Sequence, residues 1–174
     1  GGTGAKADNF VMWASQQIDQ RVNFINHYEA QGQTGAAHIQ WLRDNGYTPD
    51  RTVIWLPHDG DTQEKTIDSS YKKLFENNGY KVEIIPNQGK GAAKQRVEAM
   101  RNNFHRFWFD VQCDGGVKAL KFYHEKKCDI RNIGLGPEHD WSSHSFDAIG
   151  MRAVRFKLPV IKKVKTKKPR INIA

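Results

Sequence analysis

Two runs of aromatic and β-branched residues open the chain, 9–15 (NFVMWAS) and 21–28 (RVNFINHY), separated by a polar Gln-Gln-Ile-Asp-Gln stretch. This pattern reads as two strands of an antiparallel hairpin. Beyond residue 28, short apolar runs alternate with stretches of helical periodicity. Residues 34–46 carry apolar side chains at helical spacing and end on Gly46, and residues 66–78 repeat the arrangement ahead of Gly79. Between them Thr52 to Pro57 is a short apolar run stopped by proline, the pattern of a strand buried on both faces, and Lys81 to Pro86 makes another. After Gly91 a helix places Ala93, Val97, Met100 and Phe104 on one stripe with a basic outer face. Phe107 to Phe109 reads as a short strand, residues 116–126 as a helix, the stretch from Cys128 through Gly134 and Gly136 as a strand or hairpin, and residues 145–156 as a last helix. An antiparallel pair leading into alternating strands and helices implies an α/β fold, a mixed sheet with helices on its faces.

The length of 174 residues suits one domain, and 38% hydrophobic with 26% charged residues is an ordinary globular composition. No apolar run approaches the roughly 20 residues of a membrane span, and the N-terminus has no signal-peptide pattern. Cys113 and Cys128 lack metal-ligand spacing and read as free thiols. Charge is unevenly placed. Nine Lys and Arg follow Asp147 with no acidic residue among them, so against a net charge of +8 the first 147 residues are one unit negative. Residues 1–156 therefore read as the folded domain. Residues 157–174, with five lysines between Pro159 and Pro169, read as a flexible basic tail whose Lys162, Lys163, Lys165, Lys167, Lys168 and Arg170 suit phosphate backbone or an acidic protein surface.

Two acidic motifs carry the chemistry. In LPHDGD, Asp59 follows an apolar strand, with Pro57 ending the ladder and Gly60 allowing a sharp turn, so its carboxylate leaves the carboxyl end of a strand, where ligands of open α/β sheets sit. A turn Asp that merely satisfies backbone amides is the plainer alternative. In HDWSSHSFDAIG, Asp147 falls in the first turns of the last helix, with His144 three residues earlier on the same face. Helix-end electrostatics is the plainer reading there. Isolated carboxylates converging from separate elements are what hard divalent ions need for phosphodiester cleavage, because Mg2+ takes oxygen ligands and bridges to phosphate. Asp8 beside a Gly-rich start, Asp61 and His144 are accessory candidates. Gly89-Lys90-Gly91 lacks the Walker A spacing, which argues against ATP hydrolysis, and the remaining histidines lack zinc-ligand spacing.

The strand-ending LPHDG, the HDWSSHSFDAIG segment and the Gly-rich start before Asp8-Asn9-Phe10 together resemble the C-terminal nuclease domain of the large terminase subunit of tailed double-stranded DNA bacteriophages, most of all the headful-packaging podophage type. The likeness covers the chain to about Phe156, and SSHSFDA is its more specific motif. It implies an RNase H-like fold, a two-ion Mg2+ or Mn2+ centre, and endonucleolytic cutting of concatemeric viral DNA in the host cytoplasm. It also implies three partners besides double-stranded DNA: the portal protein, a small terminase subunit and an N-terminal ATPase domain of the same full-length chain. Carried over, Asp59 is the second catalytic metal ligand and Asp147 the last. The family's first catalytic Asp ends a strand just ahead of the glycine segment, and this sequence starts at Gly1. A non-catalytic module docking DNA or portal, and another RNase H-like nuclease such as a Holliday junction resolvase, are the alternatives.

Overall fold

The computed structural model describes residues 9–62, 69–128 and 133–158. Strands β1 (Phe10–Ile18) and β2 (Arg21–Ala30) form the expected antiparallel hairpin. Helix α1 (Gly35–Asp44) comes next, then β3 (Val53–Leu56), α2 (Tyr71–Asn77), β4 (Lys81–Ile84), α3 (Ala92–Asn103), β5 (Phe107–Phe109) and α4 (Asp114–Phe122). The chain closes with the hairpin β6 (Glu125–Cys128) and β7 (Ile133–Pro137), then α5 (Trp141–Val154). The strands pair in the order β1-β2-β5 in one sheet, β3-β4 in a second and β6-β7 in a third. Because β2 is antiparallel to β1 and parallel to β5, the first sheet is mixed. The fold is mixed α/β, and no helix among the described residues is long and apolar enough to cross a membrane.

Local signals explain most boundaries. The Thr34 side chain caps α1 by accepting from the Ala37 amide, and Gly46 takes a φ of 74° just past its end. The β1–β2 turn is tighter than the polar run suggested. Gln16, Gln17 and Ile18 stay in the ladder, and only Asp19 and Gln20 turn the chain, with Asp19 at a φ of 52° that aspartate tolerates. Pairing slips between Ala14 and Ser15, so β2 carries one extra residue opposite them. Side chains alternate along a strand, and the slip resets that alternation. It puts Phe24 and His27, one even and one odd, on the same face against Trp13.

Helices cover both faces of this sheet. On one side Val22, Phe24 and Phe107 pack with Met100 of α3, Cys113, and Phe146, Ile149 and Ala153 of α5. On the other, Phe10 and Met12 of β1 join a second cluster of Ile39 and Leu42 from α1, Ile54 and Leu56 from β3, Phe75 from α2 and Tyr80. Strand β1 thus belongs to both cores.

Four expectations are corrected. Strand β3 is buried on one face only, since Val53 and Trp55 remain 41% and 45% exposed while Ile54 and Leu56 are buried. Helix α4 stops at Phe122, because residues 125–128 pair with β7 as a strand. Phe104 leaves the α3 stripe in a short 3-10 turn and is exposed. Helix α5 starts at Trp141, four residues earlier than expected, because Asp140 caps it by accepting from the Ser142 amide. Cys113 is a free, buried thiol. The basic tail from residue 159 and Asp8 lie outside the described residues.

His38 gives the second core a pH response. It is 1% exposed, stacks on Phe10 at 4.0 Å between ring centroids, and its Nδ1 lies 3.0 Å from the Tyr28 hydroxyl. Burial pushes its pKa down to about 4 from 6.5. Between those values the unfolded chain takes a proton that the folded chain refuses. This contribution is therefore intact above pH 6.5 and is lost as pH falls toward 4, amounting to about 2 kcal/mol by pH 5. Urea unfolding at pH 7.5 and pH 5 should show that loss in the native protein and a smaller one in His38→Gln. Equal losses in both would show that His38 is not the group responsible.

Candidate active-site cleft

Gly60 sets the turn after β3, though not through an unusual backbone angle. Its amide donates to the Pro57 carbonyl at 2.9 Å, its carbonyl accepts from the Lys72 amide at 3.0 Å, and a Cβ there would stand 2.7 Å from Leu56 Cβ. Only glycine fits so close to the strand it leaves. Asp59, one residue before, stays exposed and lines a cleft of 1070 Å³ between β1 and β3.

Helix α5 forms the floor. His144, Asp147, Ala148, Met151, Arg152 and Arg155 all line the same cleft, a stripe at helical spacing. The longer helix moves Asp147 into the second turn, so it is not a helix-end charge, and the capping role belongs to Asp140. The Asp140 carboxyl lies below its usual range, held there first by the Ser142 hydroxyl at 2.6 Å.

The serines of SSHS are packing residues. Ser142, Ser143 and Ser145 are buried, and their small size lets α5 sit close against β1 and β2. Trp13 Nε1 donates to the Ser145 carbonyl at 2.9 Å, and Ser145 Oγ lies 2.9 Å from His27 Nε2 and donates to Glu29 Oε2 at 3.4 Å. The second Glu29 oxygen accepts from Asn9 Nδ2 at 2.5 Å. Burial lowers the His27 pKa, against an opposing pull from Glu29, so this ring is neutral at pH 7. Gly116 completes the packing, since a Cβ there would lie 2.3 Å from the Trp13 ring and 2.6 Å from His27. The network fixes α5, and with it Asp147, relative to β1.

Arg96 of α3 reaches Asp147 from the far side. Its guanidinium is 3.1 Å from Asp147 Oδ1 with the arginine side chain only 13% exposed, and another nitrogen donates to Gln88 Oε1 at 3.3 Å. Gly150 leaves room for it, because a Cβ there would stand 2.9 Å from Arg96 Cβ. Tyr123 stacks on Phe146 at 3.6 Å, and burial, with the Asp147 charge second, pushes its phenol up to about 12. At the far end of the cleft Arg152 donates to Gln17 at 2.9 Å, and the Arg155 guanidinium lies 4.3 Å over the Trp55 ring.

The structure thus brings Asp59, His144 and Asp147 to one cleft. Asp61 stands apart, paired with Lys72 at 3.3 Å and accepting from Ser70, the cap of α2. Among the described residues no three His, Cys, Asp or Glu side chains gather as a metal-binding group. Sequence reasoning missed Glu29 and Arg96. Arg96 sits in a helix whose charged face reads as solvent-directed, and only the packing of α3 on α5 turns it inward. Glu29 ends a strand and carries no motif. Comparison with protein-family models, with curated proteins and with solved structures gave no match.

Proposed function

We propose that the chain is the RNase H-like nuclease domain of a phage large terminase, a metal-dependent endonuclease that cuts concatemeric double-stranded viral DNA during packaging in the host cytoplasm. The observation that carries this reading is the convergence of Asp59, after β3, and Asp147, in the second turn of α5, on one cleft. A mixed sheet with helices on both faces is the frame such a site requires. Double-stranded DNA is the substrate, and the portal protein, a small terminase subunit and an ATPase domain of the same chain are the partners.

The donor chemistry fits Mg2+ or Mn2+, because both side chains offer hard carboxylate oxygens. Asp59 and Asp147 would hold the ions, and a two-ion centre needs a bridging carboxylate besides them. When bound, such ions supply water activation and stabilisation of the leaving oxygen. The chain's own part is positional. Arg96 engages one oxygen of Asp147 and fixes its orientation, while Trp13 and His27 hold α5 against the sheet. His144, which lines the same cleft, would hydrogen-bond a phosphate oxygen.

The test is digestion of supercoiled plasmid by the chain carrying its natural residues upstream of Gly1. Nicked and linear products are expected with Mn2+ or Mg2+ and none with excess EDTA. Metal-independent cutting, or intact plasmid with either ion despite measurable DNA binding, would overturn the nuclease reading and leave a docking module.

A further inference from the structure

Helix α5 carries the cleft stripe one turn further than the cleft itself. Trp141, His144, Ala148, Met151 and Arg155 follow one another at steps of three and four residues, so Trp141 lies on the face that bears the cleft residues, one turn ahead of His144. It stands at the rim, outside the lining, and is 46% exposed. Its ring meets that of Phe122, itself 56% exposed at the end of α4, with centroids 5.6 Å apart and planes tilted by 50°. His124 Nδ1 lies 2.8 Å from the Phe122 carbonyl and 4.0 Å from Asp140 Oδ2, so one side chain joins the end of α4 to the cap of α5 and holds the two rings together.

Polar and charged side chains flank this pair. Lys118 is exposed one turn before Phe122 on the same α4 face, and Lys121, His124 and His139, close to the two rings in sequence, are exposed as well. An apolar surface of two rings is small for a protein partner, which needs about 800 Å² on each side and a core depleted of charge. It suits a nucleobase, because every base offers a flat apolar face to an aromatic ring. From α4 toward the cleft the order is a cation at Lys118, the two rings, an imidazole at His144 and a carboxylate at Asp147.

We propose that the Phe122–Trp141 pair at the cleft rim wedges against a base step of bound duplex DNA close to the phosphate that is cut, and so biases cleavage toward easily unstacked sequence. This rests on the nuclease reading, which sets the scissile phosphate at Asp147. Trp141 precedes Asp147 by six residues of helix, a rise of about 9 Å. A DNA strand advances roughly 3.4 Å per nucleotide, so the rings meet a step about two or three nucleotides from the cut. An apolar wedge has to unstack the step it enters, which costs least at pyrimidine–purine steps and most in stiff A-tracts. Lys118, beside the rings, would neutralise a phosphate of the DNA that they hold.

Duplexes with a single TA step between A-tracts, and 2-aminopurine as the adenine of that step, test the contact. In EDTA, saturation with the 174-residue chain should raise 2-aminopurine fluorescence severalfold. Trp141→Phe should keep that rise, and Trp141→Leu should abolish it and weaken duplex binding by about tenfold. Both substitutions are apolar at a half-exposed position, so a merely structural role would not separate them. In the metal-dependent preparation of the plasmid test, cuts should gather about two or three nucleotides from the TA step, and Trp141→Leu should spread them evenly. The proposal is overturned if the native chain does not bind the duplex, if it binds without a rise in fluorescence, or if Trp141→Leu leaves the rise or the cut positions unchanged. A rise that depends on Trp141, with no cutting by any version, would support the base contact and remove the nuclease reading instead.

Discussion

Asp59→Asn and Asp147→Asn should each reduce Mn2+-dependent plasmid cleavage by at least about a hundredfold, because losing even a residue that only supports a metal ligand costs roughly 10- to 100-fold. The two variants should differ in stability. Asp59 is exposed in a turn, so its replacement should shift unfolding by less than about 0.5 kcal/mol. Asp147 partners a largely buried Arg96, and asparagine keeps one acceptor oxygen but removes the negative charge opposite that guanidinium, a cost of about 1–3 kcal/mol. Cleavage and chemical denaturation measured on the same preparations check both parts. Native-like cleavage by Asp59→Asn would remove it from the metal site, and equal stability of both variants would show that the Arg96 pair holds nothing in place.

The largest stability effect should come from Phe24→Ala, at about 3–5 kcal/mol. Phe24 is 1% exposed, stacks on Phe109 at 5.0 Å, and meets Trp13 and Phe107 edge-on at 5.5 and 5.3 Å. Removing the ring opens a cavity between β2, β5 and β1. The pleat also ties Phe24 to Trp13, whose indole N–H holds the Ser145 carbonyl. The variant should therefore lose cleavage in proportion to its unfolded fraction and recover it on cooling. A loss below about 1 kcal/mol by denaturant titration would mean that this face repacks around the gap.

Several features were legible in the sequence because their causes are local. The β1–β2 hairpin comes from aromatic and β-branched runs flanking a polar turn, and the bounds of α1 come from Thr34 at its cap and Gly46 beyond its end. The placement of Asp59 beyond a strand needed only the LPHDG run. Other features depend on partners far along the chain. The alternation along β2 is reset by a pairing slip that no residue type announces, and that slip decides which side chains meet α5. Asp140, Ser142, Ser143 and Ser145 lie in the segment that carries the family resemblance, yet Asp140 is the cap of α5 and the three serines, buried, are its close-packing surface. Arg96 reads as a solvent charge until α3 packs on α5 and aims it at Asp147. An apolar run such as 53–56 states that it is a strand, but whether one or both of its faces are covered is a property of its neighbours, and here Val53 and Trp55 stand open. Propensity, capping and turn chemistry act within a few residues and so are written in the sequence. Which faces are buried, which edges are left unpaired and which charges meet are set by contacts between residues far apart along the chain, and only the tertiary structure decides them.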